Sequence, residues 1–147
     1  MTMYKTVADL NGGTRVLMTD AEEAEIVAQQ SAAVTASIQP ALANARYAKE
    51  TGGFVLNGVS IQTDRESRSN LTGALIIAQG NANYSVVWKT DAGFVTLNAA
   101  QIIAISNAVA EHVRKCFSAE ASVTAVIANY TTPAAVIAAF EAAYTVA

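Results

Sequence analysis

The stretch Gly52-Gly53-Phe54-Val55-Leu56-Asn57-Gly58-Val59-Ser60-Ile61-Gln62-Thr63-Asp64-Arg65-Glu66 decides the fold class. Asn-Gly between two short apolar runs is the strongest local hairpin signal, because a type I′ turn needs positive φ at both central positions. Asn57 and Gly58 are therefore expected at the turn, with Phe54, Leu56, Val59 and Ile61 sorted between two faces. Thr63 to Glu66 follows at once as a capping box, opening a helix that carries Leu71, Leu75, Ile76 and Ala78 and ends at Gly80.

The same unit recurs downstream. Tyr84 to Trp88 and Phe94 to Leu97 read as strands around a turn near Thr90-Asp91-Ala92-Gly93. Asn98 and Gln101 then cap a helix whose Ile102, Ile105, Val109, Val113 and Cys116 or Phe117 recur at three- and four-residue steps, so one face is buried. Ser118 breaks or recaps this helix, and a shorter segment runs through Val123, Val126 and Ile127. Thr132 and Pro133 start the last helix, with Val136, Ile137, Phe140 and Tyr144 along it.

Upstream, Met3 to Val7 and Thr14 to Met18 read as a small hairpin about Asn11-Gly12-Gly13. Thr19 and Glu22 form a capping box, and Asp20, Glu22, Glu23 and Glu25 suit the dipole of the helix it opens. That helix is long and Ala-rich. Pro40 either kinks it or begins a new segment. The expected fold is α+β and helix-dominated: two or three short β-hairpins alternating with capped helices, after a long Ala-rich N-terminal helix, with little material for a parallel sheet. Gly52-Gly53 divides a hairpin and helical arm (1–50) from a C-terminal module (51–147). Bulky apolar residues concentrate in that module, so the arm is expected to take its order from a neighbour.

Composition narrows the function. The chain has 147 residues and a net charge of −3, which gives no general footprint for nucleic acid or an anionic membrane. About a fifth of all residues are Ala, so much of the 52% hydrophobic share has little bulk to bury. One Cys and one His argue against disulfides, Cys-based zinc sites and multi-histidine metal sites. No secretory signal or membrane-length apolar run is read, so a soluble intracellular product without metal or cofactor is expected.

Three constellations invite chemistry, and each has a plainer reading. Arg65 and Arg68 after Asp64 could bind an anion at a helix N-terminus. A solvated first turn with Asp64 pairing to Arg68 explains them better. His112 beside Glu111, or at i,i+4 to Cys116, could be a base, but no nucleophile motif or orienting carboxylate accompanies it. Trp88, Phe94 and Tyr84 could form an aromatic surface, though cross-strand packing over the helices is the commoner use.

Glu50 to Ser67, Trp88 to Leu97 and His112-Val113-Arg114-Lys115-Cys116-Phe117 together resemble a domain-of-unknown-function family of tailed bacteriophages and prophages, often encoded beside tail-fibre and baseplate genes. The resemblance covers about 44–147. It implies a non-enzymatic structural protein of the phage tail, an adaptor at the baseplate or tail fibre, made in the host cytoplasm and carried in the virion. A tail-fibre assembly chaperone is the alternative it leaves. The implied partners are other tail or fibre subunits; a homo-oligomer is a further expectation, and the charge balance points to no nucleic acid and no membrane. Expected interface residues are Ile26, Val34, Ile38, Tyr47, Tyr84, Trp88 and Phe94.

Overall fold

The computed structural model describes residues 3–7, 13–90 and 92–147. Strands β1 (Tyr4–Val7) and β2 (Thr14–Leu17) form the first hairpin, and helix α1 (Asp20–Thr51) follows. Hairpin β3 (Phe54–Leu56) and β4 (Val59–Ile61) leads into α2 (Arg65–Gly80). Hairpin β5 (Ser85–Thr90) and β6 (Gly93–Asn98) leads into α3 (Ala99–Thr124). A single 3-10 turn at Ile127–Asn129 then connects to α4 (Pro133–Val146). The three sheets are separate antiparallel pairs, so the helix-dominated α+β plan is what the chain adopts. Residues 11 and 12 of the first expected turn, and Asp91 of the third, lie outside the described residues.

Local chemistry explains most boundaries. Thr19 and Glu22 cap α1 reciprocally, as Asn98 and Gln101 cap α3, and Thr132 caps α4 with Pro133 in its first turn. At the middle hairpin Asn57 has φ +52° and Gly58 +80°, the two positive angles a type I′ turn requires. Gly53, at φ +79°, is required for a second reason. A Cβ there would lie 2.7 Å from the Ile61 carbonyl oxygen, so only glycine lets the α1–β3 link cross the end of β4.

Three expectations need correction. Thr63 does not cap α2. Asp64 does, accepting from the backbone N–H groups of Glu66 and Ser67 at 3.0 Å each, while the Thr63 hydroxyl is engaged elsewhere. Nor does Ser118 end its helix: α3 runs on to Thr124, because Ala119 and Val123 beyond it are buried and a mid-helix Ser costs only a few tenths of a kcal/mol. And of the two alternatives for Pro40, the start of a new segment is excluded, because α1 runs through it. Ile38 and Leu42 on either side of it are 5% and 2% exposed, and burying two such side chains yields roughly 3–6 kcal/mol against about 3 for an interior proline.

Two apolar cores result. Ile38 and Leu42 of α1 meet Ala119 and Val123 of α3 and Val136 and Phe140 of α4. Leu71, Ala74 and Ala78 of α2 meet Ala99, Ile102 and Val109 of α3, under a roof that includes Phe54, Ile61, Tyr84, Trp88 and Leu97. Helix α3 belongs to both. The second half of α1 is therefore core material, although it falls within the 1–50 arm. Only the first half, residues 20–37, runs clear of the body: every residue there is exposed except Glu22, Glu23 and Ile26, which are half-buried.

Candidate functional site

The two cores meet at a polar joint. The Thr63 hydroxyl, fully buried, accepts from the Gly53 N–H at 2.9 Å and donates to the Glu50 carbonyl at 2.6 Å. It thereby ties the end of α1 to the start of α2. The Glu50 carboxylate, also buried, takes Arg68 on one oxygen at 2.7 Å and Arg46 on the other, and Arg46 reaches on to Glu120 at 3.0 Å. Burial opposes ionisation of Glu50, but the hydrogen bonds from Arg68 and Arg46 outweigh it and hold the carboxyl below the usual carboxylate range. Arg68 thus pairs with Glu50, not with Asp64 as its spacing suggested, and Arg65 is exposed. Arg68 is committed to that ion pair.

His112 sits between the cores with both ring nitrogens engaged. Nε2 lies 3.0 Å from the Lys49 carbonyl and Nδ1 lies 2.8 Å from the Tyr144 hydroxyl. A carbonyl can only accept, so Nε2 carries a proton and donates it to Lys49. Phe54 stacks on the ring at 4.9 Å. Cys116 Sγ is 4.0 Å from Nε2, the nitrogen that already holds a proton, so the imidazole cannot draw one from the thiol. Burial, with the Glu50 charge next, pushes the thiol pKa up, which further disfavours the thiolate. These contacts join α1, α3, α4 and β3. They are the chemistry of a rivet.

Among the described residues no group of three or more His, Cys, Asp or Glu side chains is placed to hold a metal ion. The cleft between β4, α2 and the β5–β6 hairpin, lined in part by Ile61, Leu71, Trp88 and Leu97, holds about 90 Å³, while wider and more open grooves of about 570 Å³ between α2 and β5 and about 670 Å³ between α1 and α4 lie at the surface.

What the fold leaves accessible is surface. Of the expected interface residues, Tyr47 is 60% exposed, Val34 40% and Phe94 74%, while Ile26 is half-buried. Ile38 is withdrawn into the core, where it packs against α3 and α4. Tyr84 and Trp88 are half-buried in the roof over α2 and α3, on the inner face of their hairpin. Its outer face, where Lys89 stands opposite Phe94 and Val87 opposite Thr96, is exposed. Sequence reading missed the groove where α1 leaves the body, of about 480 Å³, lined by Val34, Ile38, Ile127 and Tyr130 among others. An uncharged run from Ile26 to Ala45 was its only trace.

The outer hairpin face, the riveted joint and α1 from residue 33 onward fall within a known domain class. The family described as Domain of unknown function (DUF4376) matches residues 33–144, most of the chain, and the protein belongs to that family. The match begins inside α1, upstream of the glycine pair. No curated protein and no solved structure matches the chain.

Proposed function

We propose that this protein is a structural component of a bacteriophage tail, an adaptor at the baseplate or tail fibre that works through protein–protein contacts. The observation that carries the contact reading is the first half of α1: a helix standing clear of the body whose residues 26–37 are uncharged. A solvated helix is ordinarily charged on its free faces, and an isolated one of this length is marginal in water. The outer face of the β5–β6 hairpin, with Val87 and Phe94 exposed, supplies a second apolar contact. The assignment to a phage tail is supported by the resemblance of the Glu50–Ser67, Trp88–Leu97 and His112–Phe117 segments to phage-encoded domains. Contact is favoured over catalysis because His112 and Arg68 are spent on holding helices together and the Cys116 thiol is buried.

Mass spectrometry of purified virions tests the proposal. The protein is expected in particles at a fixed ratio to a tail or fibre subunit. Abundance in the lysate with absence from particles would overturn the virion role in favour of an assembly chaperone.

A further inference from the structure

We infer that the first half of α1 is a homodimer surface on which a second copy of this chain packs antiparallel, with Ser31 near the twofold axis. The inference rests on reading that half-helix as a contact surface, and it names the occupant; the outer hairpin face is left for other partners.

Three observations lead there. The first is continuity. At about 100° per residue, Ala24, Val27, Ala28, Ser31, Val34 and Thr35 fall on the face of α1 that carries Ile38, Leu42 and Ala45. From residue 38 onward that face meets α3 and α4; before it Ser31, Val34 and Thr35 form one wall of the open groove shared with Ile127 and Tyr130, and Val27 and Val34 are 54% and 40% exposed. An incoming helix would extend packing that the body has already begun.

The second is charge. Asp20, Glu22, Glu23 and Glu25 crowd one end of the half-helix, and Ile26 to Ala45 carries no charge. Parallel pairing would bring two acidic ends within a Debye length of about 8–10 Å. Antiparallel pairing parts them, and it carries each Asp20 past the partner's Ile38 toward the uncharged groove rim of Gln39, Tyr130 and Thr131, whose amide and hydroxyls can donate.

The third is register. The uncovered face from Val27 to Thr35 is centred on Ser31. Antiparallel overlay about that point sets Val27 against Thr35 and Ala28 against Val34, with Ser31 against its own copy. The start of each half-helix then enters the other copy's groove of about 480 Å³.

Analytical ultracentrifugation of the full chain across the micromolar range is expected to show a monomer–dimer equilibrium. Val34→Glu puts two carboxylates into the seam and should weaken dimerisation about a hundredfold, whereas Phe94→Ser should leave it unchanged; far-UV circular dichroism checks that both fold. Orientation is read separately. Oxidised Ser31→Cys should form a covalent dimer, while Ala24→Cys should not, because antiparallel pairing holds its two copies about 21 Å apart along the axis. Cys116 is fully buried and does not compete. A strictly monomeric wild-type chain, a dimer indifferent to Val34→Glu, or equal cross-linking at 24 and 31 would overturn the inference. None of these results bears on whether the protein is found in virions, so the two readings fail independently.

Discussion

At Thr63 a single hydroxyl closes the joint between α1 and α2, and its value lies in what it leaves unpaired if removed. Thr63→Val keeps the shape but strands the Gly53 N–H and the Glu50 carbonyl in a buried site, which costs about 1–3 kcal/mol. Thr63→Ser keeps both bonds and should lose about 1 kcal/mol for one methyl group. Urea midpoints at constant slope measure the difference. Glu50 makes the joint sensitive to acid. Its folded-state pKa is depressed, so the stability it contributes is fully present above the ordinary value of 4.5 and drains away as pH falls through the lower folded value. Glu22 behaves alike: the hydrogen bond from Lys5 and the backbone of Thr19 hold it at about 2. The thermal midpoint should therefore be flat above about pH 5 and fall below it. Glu50→Gln should flatten that fall and destabilise at neutral pH by about 3 kcal/mol, the low end for breaking a buried pair, because Arg46 keeps Glu120. An acid limb unchanged in Glu50→Gln would rule Glu50 out as its source. Little of this was legible beforehand. Arg68 had an acid four residues away at Asp64, and nothing local says that the partner lies eighteen residues upstream, at Glu50.

Helix starts were the most legible feature, since Thr19–Glu22, Asn98–Gln101 and Thr132–Pro133 encode their caps within four residues. The Asn57-Gly58 turn was legible for the same reason. Boundaries that depend on distant packing were not. Ser118 and Pro40 are local signals of interruption, and each is overridden by core residues on both sides of it. The candidate surface divided likewise. Tyr47, Val34 and Phe94 are exposed, but Ile38 could not be told from its exposed neighbours, because a helix face in the core and the same face beyond it share one spacing. Pro40 offers a direct measure of such an override. Pro40→Ala restores an N–H for the ladder and relieves an interior cost near 3 kcal/mol. Greater freedom of the unfolded chain takes back up to about 1. A net gain of about 2 kcal/mol in chemical denaturation, with no change in the slope, is expected. A loss of stability would mean that the proline is matched to a bend that α1 requires.

Across the whole molecule, stability and contact surface occupy different parts of one helix. Every residue of the two cores lies at or beyond Ile38, and the first half of α1 contributes no buried side chain. Deleting residues 1–32 therefore leaves both cores and the Glu50 joint in place. It removes the Thr19 capping box, worth about 1 kcal/mol, but the new helix start is a frayed end outside the core. The shortened chain should unfold in one cooperative transition, because α3 runs through both cores, with a thermal midpoint lowered by no more than about 4 °C. It should also be monomeric, since Ala24, Val27, Ala28 and Ser31 are gone, and its midpoint should not depend on protein concentration, whereas that of the full chain should rise with concentration as dimerisation draws on the folded state. Scanning calorimetry at several concentrations separates the cases. A shortened chain that melts broadly or far lower would mean that the exposed half-helix supports the body. An equal concentration dependence in both chains would move the dimer surface elsewhere. A cooperative, monomeric, nearly undiminished remainder would place folding in the residues from 33 onward and self-association in the helix that precedes them.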